Sequence, residues 1–118
     1  MPVIHFEFTA NLAIDNQVKP FIAELHNALV EIIKTDLQTC RSVISRHENY
    51  VIGNGAEKNA FIQLSIRMLP GRDKATKDRL GKYLMDRVNQ VFSEEINAHV
   101  TQTRVYLTEI DKDYYYGL

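Results

Sequence analysis

The sequence predicts an α+β fold made of two successive β-α-β units, in which a four-stranded sheet carries two helices on one face. Three observations lead there: two amphipathic helical stripes, a strand-like run on either side of each, and no linker or low-complexity segment between the halves. A chain of 118 residues forms one domain with a genuine but small core. That single domain, 1–118, divides into expected halves at about 2–57 and 58–118.

From Pro2 to Phe8 the apolar residues Pro2, Ile4, Phe6 and Phe8 alternate with the mixed set Val3, His5 and Glu7, the pattern of a half-buried strand. A loop with Asn11, Asp15 and Asn16 follows, and Asp15 or Asn16 is the expected helix cap. Val18, Phe21, Ile22, Leu25, Leu29, Ile32 and Ile33 then recur at helical spacing, with Pro20 expected in the tolerant first turn. A β-rich run begins at Arg41-Ser42, extends through Tyr50-Val51-Ile52 and ends at Gly53-Asn54-Gly55, a reversal signal. Alternation is clearest from Ala60 to Leu69. Ala60, Ile62, Leu64, Ile66 and Met68 fall on one side, and Phe61, Gln63, Ser65 and Arg67 on the other. Pro70-Gly71-Arg72-Asp73 breaks that strand. Leu80, Tyr83, Leu84, Val88, Val91, Phe92 and Ile96 form the second helical stripe, and Thr103 to Ile110 the last strand.

Two helices cover only one face of such a sheet, and the other face, with Phe61, Gln63 and Tyr106, is partly apolar. Packing it against copies of itself, with edge strands paired between subunits, resolves both the bare face and the open edges, so a homo-oligomer is expected.

A net charge of -1 and a pI near 6.4, with no basic tract, point away from nucleic acid. Cys40 is the only cysteine, which excludes an internal disulfide and a thiolate metal site and suggests a reducing compartment. The N-terminal segment has no basic region followed by a continuous apolar stretch, so neither secretion nor membrane insertion is expected, and the location expected is cytoplasmic. His5, His26, His47 and His99 lack metal-ligand spacing. His47 reads as an exposed strand residue and Cys40 as a small buried one. Gly53-Asn54-Gly55 lacks the lysine and helix of a phosphate loop and reads as a turn. Tyr114-Tyr115-Tyr116 offers aromatic area with hydroxyls, suited to subunit packing or to a ligand.

Pro2 is the most informative residue. Met1 before so small a residue is normally removed, leaving a ring nitrogen held rigidly by the strand behind it. An ordinary α-amino group has a pKa of about 7.7–8.0 and the ring nitrogen is more basic, but apolar walls or nearby cations lower it toward the range of a proton shuttle. Taken alone, Pro2 is equally a strand-opening residue whose missing N–H costs nothing.

Proline on a first strand, a duplicated β-α-β unit, Arg41-Ser42 opening the second strand, and Gly71-Arg72 before the second helix together resemble the tautomerase superfamily. Within it the likeness is to the 5-carboxymethyl-2-hydroxymuconate isomerase family, and it extends over nearly the whole chain, including Asn59-Ala60-Phe61. The resemblance implies a homotrimer with packed sheets. It also implies cofactor-free ketonisation of an unsaturated hydroxy di- or tricarboxylate in aromatic-acid breakdown. Pro2 would be the catalytic base and acid, and Arg41 and Arg72 would bind substrate carboxylates. A planar guanidinium suits that task, because it forms paired hydrogen bonds and stays charged. Without the resemblance, Arg72 reads as solvated or paired with Asp73, and Arg41 as paired across the sheet. Asn11-Leu12-Ala13 stands where short 4-oxalocrotonate-type tautomerases carry an arginine, which argues against that subtype. A phenylpyruvate-type tautomerase, and a non-catalytic oligomeric binding module of the same fold, are the alternatives.

Overall fold

Buried alternation builds the centre of the sheet. In the computed structural model, which describes residues 1–117, Ile4, Phe6 and Phe8 of β1 (Val3–Thr9) and Ala60, Ile62, Leu64, Ile66 and Met68 of β3 (Asn59–Met68) are all buried on one face. Leu118, the last residue of the expected second half, lies outside the described residues. β1 and β3 run antiparallel at the middle, with Val3 opposite Arg67 and Phe6 opposite Leu64. β2 (Arg41–His47) lies parallel to β1 on one edge and β4 (Val100–Glu109) parallel to β3 on the other, giving the order β2-β1-β3-β4. Each parallel pair is joined by a helix, as parallel strands require: α1 (Asp15–Ile33) and α2 (Lys74–Val91).

Both helices press on the same face. Val18, Phe21, Ile22, Leu25, Leu29, Ile32 and Ile33 of α1 join Leu80, Leu84 and Val88 of α2 and the sheet in one apolar core. An aromatic group fastens the layers. Phe6 lies 6.0 Å from Phe21 and 5.6 Å from Phe92, and the Phe21 and Phe92 rings meet edge-on at 5.1 Å.

Several boundaries differ from the sequence reading, each for a local reason. Ile14, not Asp15 or Asn16, caps α1, and it is buried at 1 % exposure, so packing rather than a side-chain hydrogen bond fixes that helix start. Pro20 consequently lies inside α1, beyond the first turn; its missing N–H leaves only the solvent-facing Asn16 carbonyl without a helical donor. Tyr50-Val51-Ile52 is not strand, because β1 ends opposite His47 and no neighbour remains to pair with; Val51 is 83 % exposed. Gly53 and Gly55 adopt φ of 54° and 79°, and the Gly55 amide donates to Ile52 at 2.9 Å, the expected turn. The second helical stripe breaks at Phe92, which leaves helical geometry (ψ 19°) as its ring enters the core, and a short helix α3 (Ser93–Ala98) resumes after it. β4 begins at Val100, earlier than Thr103, because pairing with β3 runs through Asn59–Met68 without interruption.

Candidate active site

Pro2 sits one residue ahead of β1, buried, and its carbonyl accepts the backbone N–H of Arg41 at 3.2 Å. That bond sets the first residue of β2 beside the chain start. The parallel β1–β2 register then places Arg41 next to Val3 on the face turned away from the helices. Arg41 is exposed, and among the described residues no carboxylate lies within ion-pair distance of it. It lines a cleft of about 320 Å³ together with Met1, Thr39, Tyr115, Tyr116 and Gly117. Met1, the residue directly before Pro2, is part of that lining.

Between Thr39 and Arg41 in the sequence, Cys40 is 8 % exposed and its thiol donates to the Asp36 carbonyl at 3.7 Å. Burial pushes that thiol above its ordinary pKa; the amino terminus opposes the shift and the Asp36 carboxylate reinforces it. A protonated buried thiol is no nucleophile, in line with the sequence reading.

Arg72 reaches the same end of the sheet by another route. It follows β3, and its guanidinium donates twice to the Ile33 carbonyl (3.3 and 3.0 Å) and once to the Leu69 carbonyl at 3.0 Å. Ile33 is the last residue of α1, and Lys34 after it adopts the left-handed φ of 56°. A cation on those terminal carbonyls satisfies acceptors that the helix leaves open and complements its dipole. Arg72 is thus neither solvated nor paired with Asp73, whose carboxylate caps α2 by accepting from Thr76 at 2.8 Å. The backbones of Pro2 and Arg41 are brought side by side; Arg72 shares their end of the sheet, with three of its guanidinium N–H groups committed to backbone.

The sequence reading missed Arg67. Register places it across Val3 from Arg41, on the same face and in the same row, exposed and without a carboxylate partner among the described residues. Strand alternation assigns Arg67 its face, but only the pairing of three strands reveals its neighbour. Also missed is a polar network on that face. The Glu7 carboxylate, 19 % exposed, takes hydrogen bonds from His47 Nε2 at 3.0 Å and Gln63 Nε2 at 3.2 Å, while His5 Nε2 meets Ser45 Oγ at 2.7 Å. His47 is therefore half-buried and bonded, not simply an exposed strand residue.

No group of three or more His, Cys, Asp or Glu side chains suited to a metal occurs among the described residues. The geometry offers a buried proline just ahead of β1, a backbone bond from it to Arg41, and a cleft lined by Arg41 with Tyr115 and Tyr116. A cleft with a cation and aromatic side chains suits a small anion.

Comparison with known proteins identifies the family and the fold. Residues 2–117 match the family model described as 5-carboxymethyl-2-hydroxymuconate isomerase. Among curated proteins no sequence matches. A 5-carboxymethyl-2-hydroxymuconate isomerase from Deinococcus radiodurans R1 superposes with a TM-score of 0.77 at 20% identity, covering 99% of this chain and 88% of that one. A 5-carboxymethyl-2-hydroxymuconate delta-isomerase gives 0.86 at 16% identity, over 100% and 88% of the two chains. A fused 4-OT described as a symmetric trimer gives 0.69 at 19% identity, over 93% and 86%. The fold is that of the tautomerases, and the chain belongs to the 5-carboxymethyl-2-hydroxymuconate isomerase family, a family of isomerases.

Proposed function

We propose that this protein ketonises 5-carboxymethyl-2-hydroxymuconate or a related unsaturated hydroxy di- or tricarboxylate without a cofactor, in the breakdown of homoprotocatechuate and related aromatic acids. The observation that carries the reading is the setting of Pro2: buried one residue ahead of β1, tied to Arg41 by a 3.2 Å backbone bond, and directly preceded by Met1, which lines a cleft together with Arg41. With Met1 removed, the ring nitrogen has a lone pair. It accepts the enol hydroxyl proton, the O–H electrons form the carbonyl, the conjugated double bonds shift, and the prolinium returns the proton to a distant carbon. The product is an isomer, so neither oxidant nor reductant is needed. Arg41 holds a carboxylate, and its positive charge favours the neutral nitrogen, so binding and base activation share one residue. Of the five N–H groups of a guanidinium, Arg72 uses three on backbone carbonyls, leaving two for substrate. Arg67, across Val3, meets a further carboxylate.

The subunit is one domain of two β-α-β halves that works as a homotrimer in the cytoplasm, with the face bearing Val43, Phe61 and Tyr106 packed between copies. Val43 is 56 % exposed and Tyr106 49 %, area that association would cover. A second reading, a phenylpyruvate-type tautomerase acting on a monocarboxylate, is favoured by the commitment of Arg72 to backbone. Competing a monocarboxylate enol against a dicarboxylate enol separates the two.

The test couples mass spectrometry of the natively processed N-terminus to loss of enol absorbance with a 2-hydroxymuconate substrate. Acylating the Pro2 nitrogen is expected to lower turnover by about a hundredfold or more, the contribution of a positioned base. Undiminished turnover by acylated protein would overturn the assignment.

A further inference from the structure

We infer that Tyr115 determines specificity in this cleft, its ring favouring flat, conjugated carboxylates over saturated ones of equal length and charge. The inference rests on reading the cleft as the substrate site. The chain places Tyr115 there by a short sequence of backbone bonds. Beyond β4 the Ile110 amide donates to Met68 at 2.7 Å, holding the strand to the proline end of the sheet. The Asp111 side chain then accepts from the Asp113 amide at 3.0 Å, and the Tyr114 and Tyr115 amides donate to Asp111 (3.0 Å) and Lys112 (3.4 Å). This tight turn brings the following residues to Arg41 and Met1.

Of the three consecutive tyrosines Tyr115 and Tyr116 line the cleft, and Tyr115 is the least exposed: Tyr114 and Tyr116 are 73 % and 85 % exposed, Tyr115 38 %. The chain then crosses its phenol. A Cβ built on Gly117 would stand 3.1 Å from the Tyr115 hydroxyl and 3.4 Å from the ring carbon that carries it, so glycine at 117 lets the ring keep its place. Tyr115 thus lines the cleft with Arg41, whose guanidinium has no carboxylate partner among the described residues.

The two groups discriminate differently. Arg41 attracts any carboxylate, whatever the hybridisation of the carbons behind it. A ring rewards a partner that lies flat: a conjugated chain stacks along its length and has few rotamers to lose, whereas a saturated chain is bent and must be frozen. The preference expected from one such contact is about two- to tenfold.

Muconate and adipate test this, since both are six-carbon dicarboxylates of equal charge and only the first is conjugated. Their dissociation constants, measured by calorimetry on the natively processed protein, should favour trans,trans-muconate in the wild type. Tyr115→Phe should keep the preference, Tyr115→Ala and Gly117→Val should bring the ratio close to one, and Arg41→Ala should weaken both ligands. Tyr115 lies outside the core, so these tail substitutions leave folding intact. A preference that survives Tyr115→Ala, or a wild type that prefers neither ligand or binds neither, overturns the inference. Isomerase turnover reports separately. An active enzyme whose ratio ignores Tyr115 removes this residue alone, and an inactive protein that still selects muconate through Tyr115 removes the catalytic reading instead.

Discussion

Where the first β-α-β unit begins, the Arg41 amide donates to the Pro2 carbonyl at 3.2 Å; where the second begins, the Val100 amide donates to the Lys58 carbonyl at 2.8 Å. The backbone arrangement is the same, and the residues occupying it differ in every chemical respect. Because β1 and β3 are antiparallel, the two arrangements lie at opposite ends of the sheet. Lys58 is interior to the chain, so its backbone nitrogen is an amide whatever surrounds it, and Val100 offers a carboxylate nothing. The helices differ as well. α1 buries seven apolar side chains and α2 three, so the first unit supplies most of the helical packing. Doubling a topology repeats strand order and edges, but the terminal amine proposed at Pro2 has no counterpart at Lys58. The second unit contributes support instead, through Arg72 and the tail that carries Tyr115.

The comparison breaks most readily at Pro2. Pro2→Ala exchanges the rigid ring for a flexible primary amine and should lower kcat/KM by about two orders of magnitude, measured by enol absorbance, whereas Lys58→Ala at the matching place should leave it unchanged. Equal losses in the two variants would mean that the ends of the sheet are not functionally distinct. The arginines sharpen the contrast further. Arg41→Ala should reduce kcat/KM about ten- to a hundredfold, mainly through KM, with the urea midpoint unchanged, because its guanidinium has no carboxylate partner among the described residues. Arg72→Ala should instead cost about 1–3 kcal/mol of stability by leaving the Ile33 and Leu69 carbonyls without donors.

The smallest effect concerns His26, which ties α1 to β2 through Ser42 at 2.7 Å. Burial holds its pKa below the ordinary 6.5, so the folded chain keeps it neutral where the unfolded chain would bind a proton. The unfolded state then gains protons first on acidification. This contribution to stability is complete above about pH 6.5 and is lost as pH falls through the lower, folded value. Hydrogen exchange in β2 should accelerate over that window, and His26→Asn should flatten the response.

The sheet centre was legible in the sequence because helices bury one face of β1 and β3 and leave the other partly open, which writes a period of two into residues 2–8 and 60–69. Elements that depend on a neighbour were not. Tyr50-Val51-Ile52 has strand-forming side chains and no strand to pair with, while Val100-Thr101-Gln102 has little apolar signal and a full ladder beside it. The same divide runs through the candidate site. Pro2 and Arg41 stand out only through the family resemblance, the partner of Arg72 is a carbonyl 39 residues away, and the Glu7 network spans separations of 40 and 56. Such pairings follow from register, which no local pattern encodes.

Met1 and Gly117 line one cleft, so the two ends of the described chain converge on the place where chemistry is proposed. An affinity tag fused at either end would crowd that opening, and a leader left in front of Pro2 would also abolish its amine. The turn at Gly53-Asn54-Gly55, at the opposite end of the sheet, is the better insertion point for a purification handle or a fluorophore.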